Sequence, residues 1–453
     1  MINKKNPIEI INKVFSVYNC NEKLALKEFS NYKLRAFHPN TFQYYNFPIF
    51  LNSPEEVFKY LDTMQENRIN TNYFYDLGGY LLEDEMKAIE NIAIRVSSYA
   101  KFFKKRTVPI GIGHMISSIS TIRSLIAIQK QKKKKLKVIE IGPGSGMLGL
   151  LANWFNINYT SFDVTNAFAI QICSLYRFLF DKHFVDLSSI PYLGNLEREK
   201  KAAKKSRSNI EYLKEKIQED NKMTFIPWWH FLNEENIPLP RYDVVIMNHC
   251  FFEIKETANR YILKRLNQNE EKQLVLCSYW GSKEFTNISD ISAYKLELEF
   301  GISQEKIISS NDIYIPKTIH LFSYKNNHKF RNFEFFEKNI DKRLGLKEIN
   351  LTKKKRTMKY KIILKCAPFI LNLYAYFYNL FFRKDLKPAV LGKEIKKISN
   401  EYISYSKTDR NNSNKIDFKL FCSKIKNIEQ LNGAPSFTED EFFCNQVNSK
   451  SHV

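Results

Sequence analysis

The rhythm of apolar positions along this chain changes at Leu136. Before it, apolar residues recur at helical spacing. Glu83 to Phe103 and Ile116 to Gln129 predict two long helices, and Pro109-Ile-Gly-Ile-Gly113 between them predicts a loop. After it, short apolar runs alternate with amphipathic stretches. Leu136 to Ile141, Tyr159 to Asp163, Thr224 to Ile226, Tyr242 to Met247 and Gln273 to Ser278 read as buried strands. Met147 to Phe155, Asn166 to Phe180 and Lys255 to Leu266 read as the helices that join them. Ile313 to Ile315 and Thr318 to Tyr324 suit a terminal hairpin, and the charged stretch Gly194 to Lys222 suits a solvated helical insertion. Alternating buried strands and helices predict an α/β fold with a doubly wound parallel sheet. No repeat is visible at a period of a few tens of residues. The chain divides into a helical region at 1–135, a sheet domain at 136–325 with its insertion at about 194–222, and a helical, basic extension at 326–453.

The segment richest in chemistry is Val138-Ile-Glu-Ile-Gly-Pro-Gly-Ser-Gly-Met-Leu-Gly149. A strand runs into three alternating glycines and a helix follows. Glycine lets the backbone take left-handed dihedrals and lets a ligand come close. The helix start adds free N–H groups and a positive partial charge. At the end of a first strand this is a nucleotide-binding crevice. Two cofactor classes use it. Gly144-Ser-Gly146-Met-Leu-Gly149 fits the dinucleotide fingerprint, although its first glycine stands three residues past the apolar strand. The spacing of Glu140, Gly142, Gly144 and Gly146 resembles motif I of class I S-adenosylmethionine-dependent methyltransferases, and Glu140 and Pro143 fit that pattern better. Asp163 ends the second strand about 20 residues on, where a carboxylate accepts hydrogen bonds from both ribose hydroxyls. Asp is equally a good helix cap before Asn166.

Tyr242 to Glu253 resembles the motif IV region of the same superfamily. Its strand lies beside the first in a doubly wound order, so Asn248 and His249 belong at the site. His249 is a candidate general base. Glu253 either orients it or is the base itself. Asn248-x-x-Phe251 lacks both prolines of the Asn-Pro-Pro-Tyr turn found in amino-methylating DNA enzymes, which argues against a base-flipping nucleic-acid enzyme. Trp228, in Phe225-Ile-Pro-Trp-Trp-His230, stands where related enzymes border adenine. It either stacks on adenine or a sugar ring, or packs in the core. His114 is a further candidate contributed by the N-terminal region.

Taken in order, the glycine loop, FDVTNAFAIQICSLYRFL, FIPWW and YDVVIMNHCFFEIKETANRYI look like the sugar O-methyltransferases of bacterial surface-polysaccharide gene clusters, over roughly residues 73–325. The resemblance implies a Rossmann-like methyltransferase sheet and S-adenosylmethionine as cofactor. It implies Glu140, Gly142, Gly144, Gly146, Asp163, Trp228 and Asn248 as cofactor-binding residues, and a sugar or lipid-linked glycan as acceptor. Some sugar methyltransferases use a divalent metal. No compact His/Asp cluster is visible in this sequence, and the metal requirement stays open.

Lys and Arg number 70 against 48 Asp and Glu, a net charge of +22. Such a balance suits an anionic partner, but Lys, Asn and Ile are all abundant, as an AT-rich coding sequence would give. Six of the eight residues from Lys130 to Lys137 are lysines. Ile362 to Phe382 is a long apolar stretch rich in Tyr and Phe between basic flanks. It reads as a buried helix, a membrane-surface anchor through 353–390, or a span, with peripheral docking on an inner membrane face as the corollary. The seven cysteines are scattered and form no CxxC pair, and the N-terminus lacks an apolar leader run. A cytoplasmic, reducing setting is expected.

Overall fold

The computed structural model describes residues 6–28, 51–57, 77, 79–100, 111–190, 211–213, 215–216, 223–232, 239–248, 250, 262, 265–266, 274–280, 303–307 and 317–323. Near the C-terminus it describes 397–398, 400–401, 404–405, 415–417 and 419–425. His249, Glu253, the segment 353–390 and most of the charged insertion lie outside the described residues.

Among the described residues, three long helices precede the sheet: α1 (Pro7–Glu28), α2 (Glu83–Ala100) and α3 (Ile112–Lys132). Then follow β1 (Lys137–Ile141), α4 (Met147–Trp154), β2 (Asn158–Asp163), α5 (Asn166–Phe180) and the three-residue β3 (Phe184–Asp186). After the insertion come β4 (Met223–Pro227), the single-turn α6 (Trp228–Phe231), β5 (Val244–Ile246), β6 (Leu274–Trp280), β7 (Ser303–Ile307) and β8 (Lys317–Ser323). The order across the sheet is β3-β4-β2-β1-β5-β6-β8-β7. The first six are parallel neighbours, and β8 runs antiparallel between β6 and β7. The sheet is α/β and doubly wound, as the alternation predicts. The chain leaves β1 toward β2 and returns to its other side at β5. The topological switch point, where a crevice opens at the carboxyl ends of the strands, therefore lies between β1 and β5.

The central strands carry apolar residues on both faces because helices cover both. All of β4 and β5 is buried, as is every residue of β1 after Lys137. Two expectations shift. The terminal hairpin pairs β8 with Ser303–Ile307, whereas Ile313 to Ile315 lies outside the described residues. Helix α3 starts at Ile112, four residues before the apolar period suggests, because Gly111 takes a left-handed φ of 68° at its N-cap.

The two flanking regions meet in space. Leu81 and Ile416 exchange backbone hydrogen bonds of 2.9 and 3.1 Å, and Ile398, Ile416, Phe421 and Ile425 join the buried core. The lysine run is partly structural. Asp243, ahead of β5, takes ion pairs from Lys134 at 2.5 Å and Lys132 at 3.9 Å, and Lys130 stands over the Tyr405 ring.

One buried ion pair fixes α3 to α2. The Arg123 guanidinium grips both oxygens of Glu85 at 2.7 and 2.8 Å, and donates to the carbonyls of Leu77 at 2.7 Å and Tyr80 at 3.0 Å. Both side chains are fully enclosed. Removing one partner leaves an uncompensated buried charge. Arg123→Ala should therefore lower stability by about 3–5 kcal/mol in urea denaturation, and Arg123→Met with Glu85→Leu should recover part of that loss. Equal loss in both variants would place the cost in the stranded carbonyls instead.

Candidate functional site

The loop at the tip of β1 takes the backbone that its glycines permit. Gly142, Gly144 and Gly146 have φ of 67°, 55° and 78°. Their surroundings differ. A Cβ on Gly142 would stand 2.8 Å from Cys250 Cβ, and one on Gly146 would stand 2.9 Å from the Tyr176 hydroxyl. A Cβ on Gly144 would meet nothing within 4 Å. Two of the glycines thus let the protein close on itself. The third faces open space at the switch point, where a ligand would meet bare backbone. Gly142 N–H donates to the Phe162 carbonyl at 2.9 Å, which ties the loop to β2.

Glu140 lies beneath this loop. It is buried and accepts a short hydrogen bond from the Tyr159 hydroxyl. Tyr176, on α5, donates to the Gly146 carbonyl at 2.6 Å. Gly149, one turn into α4, rests on both tyrosines, since a Cβ there would stand 2.2 Å from the Tyr176 hydroxyl and 2.5 Å from the Tyr159 ring. Burial pushes the Glu140 carboxyl up to about 8, against the Tyr159 bond and with help from the Asp163 charge. Glu140 therefore supports the loop from below.

Asp163 ends β2, buried, and its Oδ1 accepts from Thr165 N–H at 2.7 Å. The N-cap of α5 is Thr165, so Asp163 fastens the turn ahead of the helix rather than capping it directly. Asn166 opens α5. Its amide donates to Asn19 Oδ1 at 2.8 Å and to Glu22 Oε2 at 2.5 Å, both on α1. Glu22 also accepts from Trp228 Nε1 at 2.9 Å, so α1 bridges the ends of β2 and β4. Burial raises the Glu22 carboxyl to about 7, opposed by those two hydrogen bonds.

Trp228 is 1% exposed, with its N–H bound to Glu22 and its ring packed edge-on against Trp229. Of the two fates open to it in the sequence, the structure shows packing. Its indole is held in the core by these contacts, the packing alternative of the two.

Asn248, after β5, is half-buried, and its amide donates to Thr121 Oγ1 on α3 at 3.1 Å. His114, in the first turn of α3, pairs through Nδ1 with Ser145 Oγ of the glycine loop at 3.1 Å. Both flanks of the switch point are thereby tied to α3. Cys250 donates to the Ile141 carbonyl at 2.8 Å and closes the loop from the β5 side. Among the described residues, no group of three or more His, Cys, Asp or Glu side chains stands ready to hold a metal. No described helix is long and apolar enough to cross a membrane.

The structure brings Gly142, Gly144, Gly146, Asp163 and Asn248 to one edge of the sheet, with Glu140 beneath them and Trp228 walled off by α1. Ser145, Thr121, Tyr176, Tyr159 and Glu22 escape sequence reasoning, because each acts through a partner distant in the chain. The spacing of Gly149 was the one signal of close packing below the loop.

No protein-family model matches the chain. No curated protein matches it. Solved structures do. The methyltransferase domain of bacterial CtHen1 is similar over 45% of this chain and 97% of its own, at 14% identity and a TM-score of 0.29. The magnesium protoporphyrin IX methyltransferase of Synechocystis PCC 6803, with S-adenosylmethionine bound, is similar over 48% and 81%, at 15% identity and a TM-score of 0.26. The bifunctional kinase-methyltransferase WbdD is similar over 47% and 39%, at 12% identity and a TM-score of 0.28. The strand order and the loop, rather than these likenesses, define the fold as a Rossmann-like α/β sheet.

A carboxyl whose folded pKa is raised binds its proton more tightly folded than unfolded. Its effect is harmless below the unfolded value and turns increasingly destabilising up to the folded one. For Glu140 that window runs from 4.5 to about 8. Glu140→Gln keeps the acceptor for Tyr159 and removes the titration. The variant should gain on the parent as pH rises from 5 to 8, by at most about 1.4 kcal/mol per pH unit in paired denaturation curves. A constant difference across that range would show that Glu140 does not titrate there.

Proposed function

We propose that this protein is an S-adenosylmethionine-dependent methyltransferase and that its acceptor is a sugar hydroxyl, free or lipid-linked. The observation that carries the cofactor assignment is the left-handed glycine loop at the switch point, open at Gly144, with Asp163 at the end of the neighbouring strand. The fit is specific in kind. An open Gly144 admits a ligand against the backbone, and the α4 N-terminus, whose Gly146 cap makes no side-chain bond, offers N–H donors. Gly144 and Asn248 would hold the amino-acid end and Asp163 the ribose. The sugar acceptor is supported by the sequence likeness of the Asn248 to Glu253 block, together with Tyr261.

When bound, the cofactor supplies an electrophilic methyl group on a good leaving group. The work left to the chain is orientation and proton removal. The glycine loop and Asn248 fix the ligand at the carboxyl edge of β1 and β5. The α1 strap, through Glu22, Asn166 and Trp228, closes the β2–β4 side and keeps water from it. His249 or Glu253 takes the proton of the acceptor hydroxyl in this reading.

Calorimetric titration with S-adenosylhomocysteine, with NAD(H) as control, tests the cofactor. Binding of the former alone is expected. Asp163→Ala should weaken it by about tenfold or more, since a charge-assisted hydrogen bond contributes about 1.5–3 kcal/mol. Binding of NAD(H) alone would reassign the loop to a dinucleotide. With the cofactor established, His249→Ala and Glu253→Gln should leave its affinity intact and slow methyl transfer to sugar acceptors. Unchanged turnover in both would remove them as bases.

A further inference from the structure

The glycine loop does not stand alone against solvent. Helix α3, which belongs to the N-terminal region by sequence, reaches both walls of the switch-point crevice. Its first turn places His114 Nδ1 3.1 Å from Ser145 Oγ, between Gly144 and Gly146. Its third turn places Thr121 Oγ1 3.1 Å from the Asn248 amide. The helix start is pressed onto α4, where a Cβ on Gly111 would stand 3.2 Å from Met147 Cγ. Ser145 itself is only 5% exposed, while His114 is half-buried at the rim.

We propose that His114 is a positioning residue of the glycine loop, acting through Ser145. The loop has three left-handed residues in five and could adopt many other shapes, because glycine gives up the most conformational freedom on folding. Below it, Tyr176 holds only the carbonyl of Gly146. Ser145 is the one residue between Gly144 and Gly146, and the hydroxyl is the only polar group of its side chain. Tying that hydroxyl to a ring on a 21-residue helix fixes the open stretch at Gly144 before any ligand arrives. Part of the ordering cost of binding is thereby removed in advance. The N-terminal region then belongs to the cofactor site and does more than cover it.

For cofactor affinity this inference rests on the S-adenosylmethionine reading, so its test has two arms on the full-length chain. In the first, amide hydrogen exchange is followed across residues 142–149 without ligand. His114→Ala and Ser145→Ala should each speed exchange there several-fold, with the thermal midpoint unchanged. His114→Asn should restore the parent rate, because its amide occupies the place of Nδ1. His114→Gln, whose amide lies one atom further out, should not. In the second arm, calorimetric titration with S-adenosylhomocysteine should show affinity about 3- to 10-fold weaker in either alanine variant, the range one hydrogen bond commands. The double variant should be no weaker than the singles, as expected of two groups acting as a unit. Parent-like exchange in His114→Ala, or equal exchange in the Asn and Gln variants, overturns the proposal. If the parent chain itself fails to bind S-adenosylhomocysteine, the methyltransferase reading falls, and the exchange arm still decides whether His114 holds the loop.

Discussion

A buried hydroxyl-and-carboxyl layer under the first turn of α4 decides where the rest of the site stands. Glu140 and Tyr159 share a short hydrogen bond on adjacent strands, and Tyr176 bonds the Gly146 carbonyl from α5. Gly149 lets α4 come down onto that layer, since any side chain there would collide with both tyrosines. With α4 so lowered, its N-terminus meets the tip of β1 through a loop that only left-handed residues can complete. The glycines are therefore a consequence of close packing from below as much as an accommodation of a ligand from above. Glu140 bears the cost of this arrangement in a carboxyl pushed up to about 8, a price set by desolvation and tempered by the tyrosine.

The parts of this fold that are legible in sequence are those fixed by local periodicity. Strands β1, β2, β4, β5 and β6 are short apolar runs bounded by turn residues, and a run of that kind has one sensible fate between covering helices. The glycine loop and Asp163 are legible because their spacing reflects a single strand–turn–helix unit. Strand β3 holds only two apolar residues, Phe184 and Val185, and lacks the longer apolar run that marks β5 from Tyr242 to Met247. The partner of β8 is set by pairing across a gap of several residues that no local pattern marks. Trp228 shows the limit most clearly. Its place after β4 is visible in the chain, but its fate depends on Glu22, which lies 206 residues away in sequence.

The same reasoning separates charge as a total from charge as an arrangement. The surplus of +22 invites an anionic partner. Yet within the lysine run, Lys132 and Lys134 converge on Asp243 and Lys130 covers an aromatic ring of the C-terminal region. Around the crevice, Glu22, Glu140 and Asp163 lie buried within one corner of the sheet, and burial raises the Glu22 and Glu140 carboxyls to about 7 and about 8, toward their uncharged forms. The net charge of the chain thus says little about what its crevice would accept.

The compositional change at Leu136 marks where the sheet begins and does not mark where the folded unit begins. Hydrogen bonds cross it at the carboxyl edge of the sheet, among them Trp228 to Glu22, Ser145 with His114, and Asn248 to Thr121. Each joins a loop at the carboxyl edge of the sheet to a helix that precedes β1. Loops at that edge are the least constrained parts of a doubly wound sheet, because the ladder ends there and nothing in the strands dictates their course. Here the constraint comes from α1 and α3; α3 is in turn held to α2 by the buried Arg123–Glu85 pair, and Leu81, just ahead of α2, is bridged to Ile416 from the C-terminal region. The geometry of the site is thus determined by residues drawn from most of the sequence. A short glycine motif can be read directly in this chain, but its shape cannot be inferred from the motif alone.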